Sequence, residues 1–228
     1  MELRLNHEMP DRILTPKYGV ECFGATRNQA GRLRNEDAFV IDRDPVPHAA
    51  VFDGAGNAGQ EARRVASFFQ NLIRDQPEKA GEAEAWAAWV RLMDSHLLGG
   101  AQSAFIGAAV PDPGAARVVG GYAGNARAYV AGEEGIKLVT AESAPARLGS
   151  GSVEGRTFSL DLRARDILLL MSDGAWVPFS SANRLRKAVT AAALRHFSEV
   201  PEAVLDAATP PDGPPDDMTV VALRIRRL

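Results

Sequence analysis

The chain has 228 residues, 46% of them apolar and 24% charged, a globular balance that excludes a disordered chain. Lysine and arginine total 26 against 29 acidic residues, a net charge of −3, so the basic excess of a duplex nucleic-acid binder is missing. No apolar run approaches the ~20 residues of a membrane span, Met1–His7 carries no signal-peptide core, and the single Cys22 has no internal disulfide partner, so a cytoplasmic location is expected.

One large domain is the simplest reading of the length. The polar first sixteen residues, with Pro10 and Pro16, read as an arm ahead of a domain over 17–228. Three strand-type segments follow: Tyr18–Ala25, Ala38–Ile41 and Ala49–Phe52, the last ending at Asp53-Gly54. The period then becomes helical over Gln60–Ile73, with Ala62, Val65, Ala66, Phe69, Leu72 and Ile73 on one face, and Pro77 stops it. A second helix is predicted over Glu82–Leu98, ended by Gly99-Gly100. Trp86 and Trp89, three residues apart on it, share a face and read as core.

Strands return at Ser103–Val110, Ala116–Tyr122, Arg127–Ala131 and Ile136–Thr140, the pattern of an antiparallel meander. A Gly/Ser-rich loop covers Pro145–Gly155. Strands Thr157–Leu162 and Ile167–Met171, helices Asn183–Phe197 and Pro201–Ala208, a Pro-rich loop and a last strand Met218–Ile225 complete the chain. Blocks of strands and helices, rather than strict βα alternation, disfavour a parallel sheet and favour antiparallel sheets layered between helices.

Gly54-Ala55-Gly56-Asn57-Ala58-Gly59 matches G-x-G-x-x-G between a strand and a helix. A dinucleotide site is nevertheless disfavoured. Asp75, about 20 residues on, ends a helix rather than a strand, and Asp53 would face an anionic pyrophosphate. A glycine-rich turn is the better reading.

Acidic residues mark four strand ends: Glu36-Asp37, Asp53, Asp173 and Asp216-Asp217. Any one alone reads as a turn former. Converging together they would repel unless hard divalent cations, Mg²⁺ or Mn²⁺, sat among them. Two such ions would activate a water for attack on phosphorus. A phosphate site also calls for an arginine fork; Arg27, Arg32 and Arg34 all lie near Glu36-Asp37, and the residues alone do not choose among them.

Five segments then carry a resemblance: Gly31-Arg32-Leu33-Arg34-Asn35-Glu36-Asp37-Ala38, Val51-Phe52-Asp53-Gly54, Gly124-Asn125-Ala126-Arg127-Ala128-Tyr129, Leu170-Met171-Ser172-Asp173-Gly174-Ala175-Trp176 and Asp216-Asp217-Met218-Thr219-Val220-Val221. In this order, over residues 31–221, the chain resembles the metal-dependent protein phosphatases of the phosphatase 2C type, in a compact, bacterial-like form. The resemblance implies an α+β fold, a four-layer αββα sandwich of two antiparallel sheets flanked by helices. It implies a protein serine/threonine phosphatase with two Mn²⁺ or Mg²⁺ ions, a metal-bridged hydroxide attacking directly, and a phosphoprotein substrate made by an opposing Ser/Thr kinase. Nucleic acid and membrane are not expected partners, and a monomer is expected.

Carried over by position, Asp53 would bridge the ions, Asp173 and Asp216 would bind one, and Glu36 and the Gly54 carbonyl the other. Asp37 would support the water shell, and Arg32 would bind the phosphate. The departures are specific. Ala55 stands where many members have a histidine proposed as general acid; His48 and His96 are the mid-chain alternatives, and neither is a convincing replacement. Asn125 and Val177 replace acids of a third, weaker metal site, which therefore looks damaged. The short segment after Thr140 implies a short flap and a more open cleft. These departures support an alternative, a catalytically weak or inactive relative that binds phosphoproteins as a regulator. Trp176 is expected to pack under the Asp173 turn, Cys22 to be a buried strand residue, and Arg224, Arg226 and Arg227 to form a small basic patch.

Overall fold

Strand segments apolar at consecutive positions must bury both faces, so each sheet here needs a cover on either side. The computed structural model describes residues 18–55, 59–97, 99, 101–141 and 146–227; the expected arm, 1–16, lies outside them. The described elements are β1 (Tyr18–Arg27), β2 (Ala38–Asp42), β3 (His48–Ala55), α1 (Gly59–Asp75), α2 (Ala83–Leu97), β4 (Gln102–Asp112), β5 (Arg117–Ala123), β6 (Arg127–Gly132), β7 (Gly135–Leu138), β8 (Arg156–Asp161), β9 (Ile167–Met171), α3 (Asp173–Trp176), α4 (Ala182–Arg195), α5 (Val200–Ala208) and β10 (Met218–Arg227). Short 3₁₀ turns, Pro77–Gly81 and Phe197–Glu199, precede α2 and α5. The Asn183–Phe197 prediction ran past the helix because His196 is extended and starts the second of these turns.

Two five-stranded antiparallel sheets result, ordered β1-β10-β9-β6-β7 and β2-β3-β4-β5-β8. The expected αββα layering is what the structure has. Between the sheets Ala49, Val51 and Ile106 pack with Leu168, Leu170 and Val221. The alternate residues face outward. Phe52 and Phe105 meet Val65, Phe69, Trp86 and Met93 of α1 and α2. Leu169 and Met171 meet Leu185, Val189, Val204 and Leu205 of α4 and α5. Trp86 and Trp89 are core residues, as their spacing predicts.

The meander expectation needs correction. β4 and β5 pair within one sheet, but β6 and β7 pair within the other, so the turn between β5 and β6 crosses the sandwich. Both hairpins have the same local pattern, and only the packing of their faces decides which sheet each joins. β3 also runs past Asp53-Gly54, because its ladder with β4 continues to Ala55 opposite Gln102. With β2 and β4 both antiparallel to β3, the glycine motif after β3 is not part of a parallel dinucleotide-binding unit; residues 56–58 lie outside the described ones.

Candidate active site at the crossing of two sheets

Strand register brings the acidic residues to one edge of the sandwich. Ala38 pairs with Phe52, so the next pair along is Asp37 and Asp53. Met171 is flanked by Arg127 on one side and Val220 on the other, so Ser172 and Asp173 run out beside Asn125 and Thr219. Five chain segments thus deliver Glu36-Asp37, Asp53, Asn125, Asp173 and Asp216-Asp217 to one region.

A polar network sets the floor. Asn35 Nδ2 donates to Thr26 Oγ1 at 2.8 Å, and Thr26 and Thr219 share a hydroxyl hydrogen bond of 2.8 Å. Thr219 N donates to Ser172 Oγ at 2.8 Å, and the Ser172 and Thr219 hydroxyls support the Asp37 carboxyl. Asp173 does not sit in a loose turn but opens the one-turn helix α3. Gly174 is needed there: a Cβ on it would lie 2.1 Å from the Asp217 carbonyl oxygen.

Asp217, beside the expected ligand Asp216, has a different task. Its carboxylate accepts from Gln29 N at 2.7 Å and from Glu36 N at 2.6 Å. With Ala30 N on the Pro214 carbonyl at 2.9 Å, this joins the 28–37 loop to the Pro-rich loop. Arg32 lies on that joined rim, exposed, and its Nη1 pairs with Glu36 Oε1 at 2.9 Å. Asp216 is exposed on the same rim but its carboxyl is partly covered; that desolvation first, then nearby Asp173 and Asp217, raise its pKa, opposed by the hydrogen bond from Asp217 N and by Arg32. Arg27, left open as a phosphate ligand, instead pairs with Glu202 and Asp206.

Asp37 and Asp53 are buried, at 7% exposure each. Burial first, and then repulsion from neighbouring aspartates, pushes Asp37 up to about 7 and Asp53 up to about 8. One carboxylate oxygen of each, Oδ2, has no hydrogen-bond partner among the described residues. Buried oxygens without partners are the chemistry that a hard divalent cation satisfies, so the donor set fits Mg²⁺ or Mn²⁺. As the side chains lie, no three histidine, cysteine or acidic side chains among the described residues stand close enough together to hold an ion.

A residue that the sequence reading missed intervenes. Arg147 Nη1 lies 3.7 Å from Asp53 Oδ1, and its Nη2 lies 3.6 Å from Asp173 Oδ2. Nη2 also donates to Asn125 Oδ1 at 2.7 Å, and Asn125 Nδ2 donates to Asp173 Oδ2. The loop expected to leave the cleft open therefore sends a guanidinium into it. No local signal marks Arg147, which stands in a Gly/Ser-rich stretch far from every acidic motif. Trp176 does pack by the Asp173 turn: its Nε1 donates to the Asn125 carbonyl at 2.9 Å, and the Arg127 guanidinium lies 3.6 Å over its ring. A cleft of about 170 Å³ beside Asn125 and Trp176 adjoins the site, whereas wider grooves of about 570 and 320 Å³ lie at the opposite ends of β6 and β9.

The remaining candidates fall elsewhere. His48 is buried at the far end of β3, its Nδ1 2.8 Å from the Val46 carbonyl, and His96 stacks on Phe68. Neither meets the carboxylates. Cys22 is half-buried on β1, with its thiol pushed up to about 12 by burial. Arg224 and Arg226 pair with Glu21 rather than forming an open basic patch. No helix among the described residues is long and apolar enough to cross a membrane.

The family model of stage II sporulation protein E, SpoIIE, matches residues 48–226. No curated protein matches the chain. Solved structures share the fold. The catalytic domain of the serine/threonine protein phosphatase PstP, in complex with two manganese ions, superposes with a TM-score of 0.73 at 18% identity, over 92% of this chain and 100% of that one. The PPM Ser-Thr phosphatase MsPP from Mycobacterium smegmatis, in complex with cacodylate, gives 0.73 at 20% identity, over 90% and 97%. A SpoIIE fragment from Bacillus subtilis, holding its PP2C phosphatase domain and part of its regulatory domain, gives 0.74 at 18% identity, over 94% and 65%.

Proposed function

The chain belongs to the SpoIIE family, and from that membership we propose that it is a metal-dependent protein serine/threonine phosphatase, hydrolysing phosphoserine or phosphothreonine in a phosphoprotein. Residues 17–228 would act as one phosphatase domain. The observation that carries the reading is the pair of buried carboxyls, Asp37 and Asp53, each with an oxygen that has no hydrogen-bond partner among the described residues. Keeping two repelling acids dry costs stability unless a cation uses them. Two Mn²⁺ or Mg²⁺ ions, when bound, would supply the activated water and the positive charge that phosphoryl transfer needs.

The residues divide the work. Asp53, Asp173 and Asp216, with Glu36 and the Gly54 carbonyl, would hold the ions. Asp37, fixed by Ser172 and Thr219, would orient the water shell from behind Asp53. Arg32, on the rim stitched by Asp217, would clamp the phosphate oxygens once released from Glu36. With Ala55 next to Gly54, no side chain there can protonate the departing seryl or threonyl oxygen, so solvent would supply that proton.

The test is hydrolysis of p-nitrophenyl phosphate and of a phosphothreonine peptide with Mn²⁺, with Mg²⁺ and with EDTA, beside Asp53→Ala. Turnover that disappears with EDTA and in the variant is expected. Folded protein with no turnover in either metal would overturn the enzyme reading and favour the alternative, a phosphoprotein-binding regulator. The direct contact of Asn125 and Arg147 with Asp173 is the observation on that side.

A further inference from the structure

Resting on the two-metal reading above, we propose that Arg147 is a built-in counter-cation that competes with divalent ions for Asp53 and Asp173, and so sets the metal concentration at which the site loads.

Its main chain has little freedom. Gly124 N donates to the Ala146 carbonyl at 3.0 Å on one side of Arg147. On the other, Leu148 is fully buried and exchanges two backbone hydrogen bonds with Ser103, at 2.9 and 3.1 Å. Ser103 lies on β4 opposite Gly54, one pair beyond Asp53 and Ala104, so this bridge fixes Arg147 next to Asp53. The loop beyond is gathered by the buried Asp94 of α2, which accepts from Gly149 N at 2.7 Å and Gly151 N at 3.1 Å.

The side chain is held less well. Among the described residues only Nη2 makes a hydrogen bond to the site, to Asn125. Among the described residues Nη1 is buried without a hydrogen-bond partner, 3.7 Å from Asp53 Oδ1, and the other oxygen of that aspartate likewise has none. The guanidinium thus neutralises Asp53 and Asp173 through charge, without the bidentate geometry that makes an arginine–carboxylate pair strong. A group held this way is displaceable. A doubly charged ion at the same oxygens would face a monovalent competitor on a fixed tether. Asn125 strengthens the competitor by accepting from the guanidinium while donating to Asp173.

The experiment is calorimetric titration of the EDTA-stripped, dialysed full chain with MnCl₂, for the wild type, Arg147→Met, Arg147→Lys and Asp53→Asn. Thermal melts are recorded in EDTA and in Mn²⁺. Arg147→Met is expected to bind Mn²⁺ roughly tenfold more tightly or better, with Arg147→Lys between it and the wild type. Arg147→Met is also expected to melt below the wild type in EDTA and to gain more from Mn²⁺. A variant that binds Mn²⁺ where the wild type does not supports the proposal in its strongest form. Wild-type binding that Arg147→Met leaves unchanged or weakens would overturn the proposal while leaving the two-metal reading intact. Absence of Mn²⁺ binding in both, up to millimolar ion, would overturn both. Should Arg147→Met fail to fold, Arg147→Lys decides: affinity at or below the wild type's overturns the proposal, and a tighter constant supports it.

Discussion

The two halves of the site are built on opposite principles. Asp37 and Asp53 form a dry half, set by strand register, buried and mutually repelling, with Arg147 as the nearby positive charge. Glu36, Arg32 and Asp216 form a wetter half on two joined loops, where Arg32 and Asp216 are exposed and Arg32 reaches back to a Glu36 side chain that is only 13% exposed. The dry half costs folding stability in return for electrostatic strength, which on the proposed function would serve to bind cations. The wetter half costs less, and on the proposed function it is the rim that would admit a phosphoprotein.

The sharpest way to break this contrast is Asp53→Asn. Mn²⁺-dependent hydrolysis of p-nitrophenyl phosphate is expected to fall by roughly a thousandfold or more, while the metal-free protein melts at a higher temperature because one repelling buried acid is gone. Asp216→Asn on the wetter half should also lower turnover but leave the metal-free melting temperature nearly unmoved.

Next in size is Asp217→Ala, which removes the acceptor of two short backbone hydrogen bonds. A loss of about 3 kcal/mol is expected, a drop in melting temperature of roughly 6–12 °C for a domain of this length. It is read by circular dichroism, and a change under about 2 °C would mean that the loops are joined by something else.

The pH profile separates the halves further. The Asp53 carboxyl rises from 3.8 to about 8 on folding, so the folded chain binds its proton more tightly than the unfolded chain does. That contribution is complete below pH 3.8 and is lost as pH rises toward about 8. Melting temperature in EDTA should therefore fall from pH 5 to pH 8, and the slope should flatten in Asp53→Asn. With saturating Mn²⁺, which binds the deprotonated carboxylates, the stabilisation over EDTA should grow across the same interval. The smallest effect is expected on the wetter half: Glu36→Gln, which weakens the pair with the exposed Arg32, should change metal-free stability by about 1 kcal/mol by urea titration.

Much of this was legible before any coordinates. β-branched and aromatic runs marked β2 and β3, the apolar run Ile167–Met171 marked β9, and the 3.6-residue period marked α1, because each element's own residues carry the pattern of its burial. The acids stood out because carboxylates at several strand ends are a liability without a cation. Other features were hidden. Asp217 looked like a spare neighbour of Asp216, and its partners, Gln29 and Glu36, lie more than 180 residues away. Asp94 looked like an ordinary helix residue, yet it is buried under a loop more than 50 residues on.

The sequence by itself determined which segments become strands and helices, and which acids and arginines are candidates for the chemistry, since these depend on residue type and near neighbours. The tertiary structure alone decided that the β4–β5 and β6–β7 hairpins join different sheets, that Asp37 meets Asp53 dry, and that Arg147 stands between Asp53 and Asp173. Those outcomes depend on which buried face packs against which, and apolar patterning is the same for every partner that could cover it.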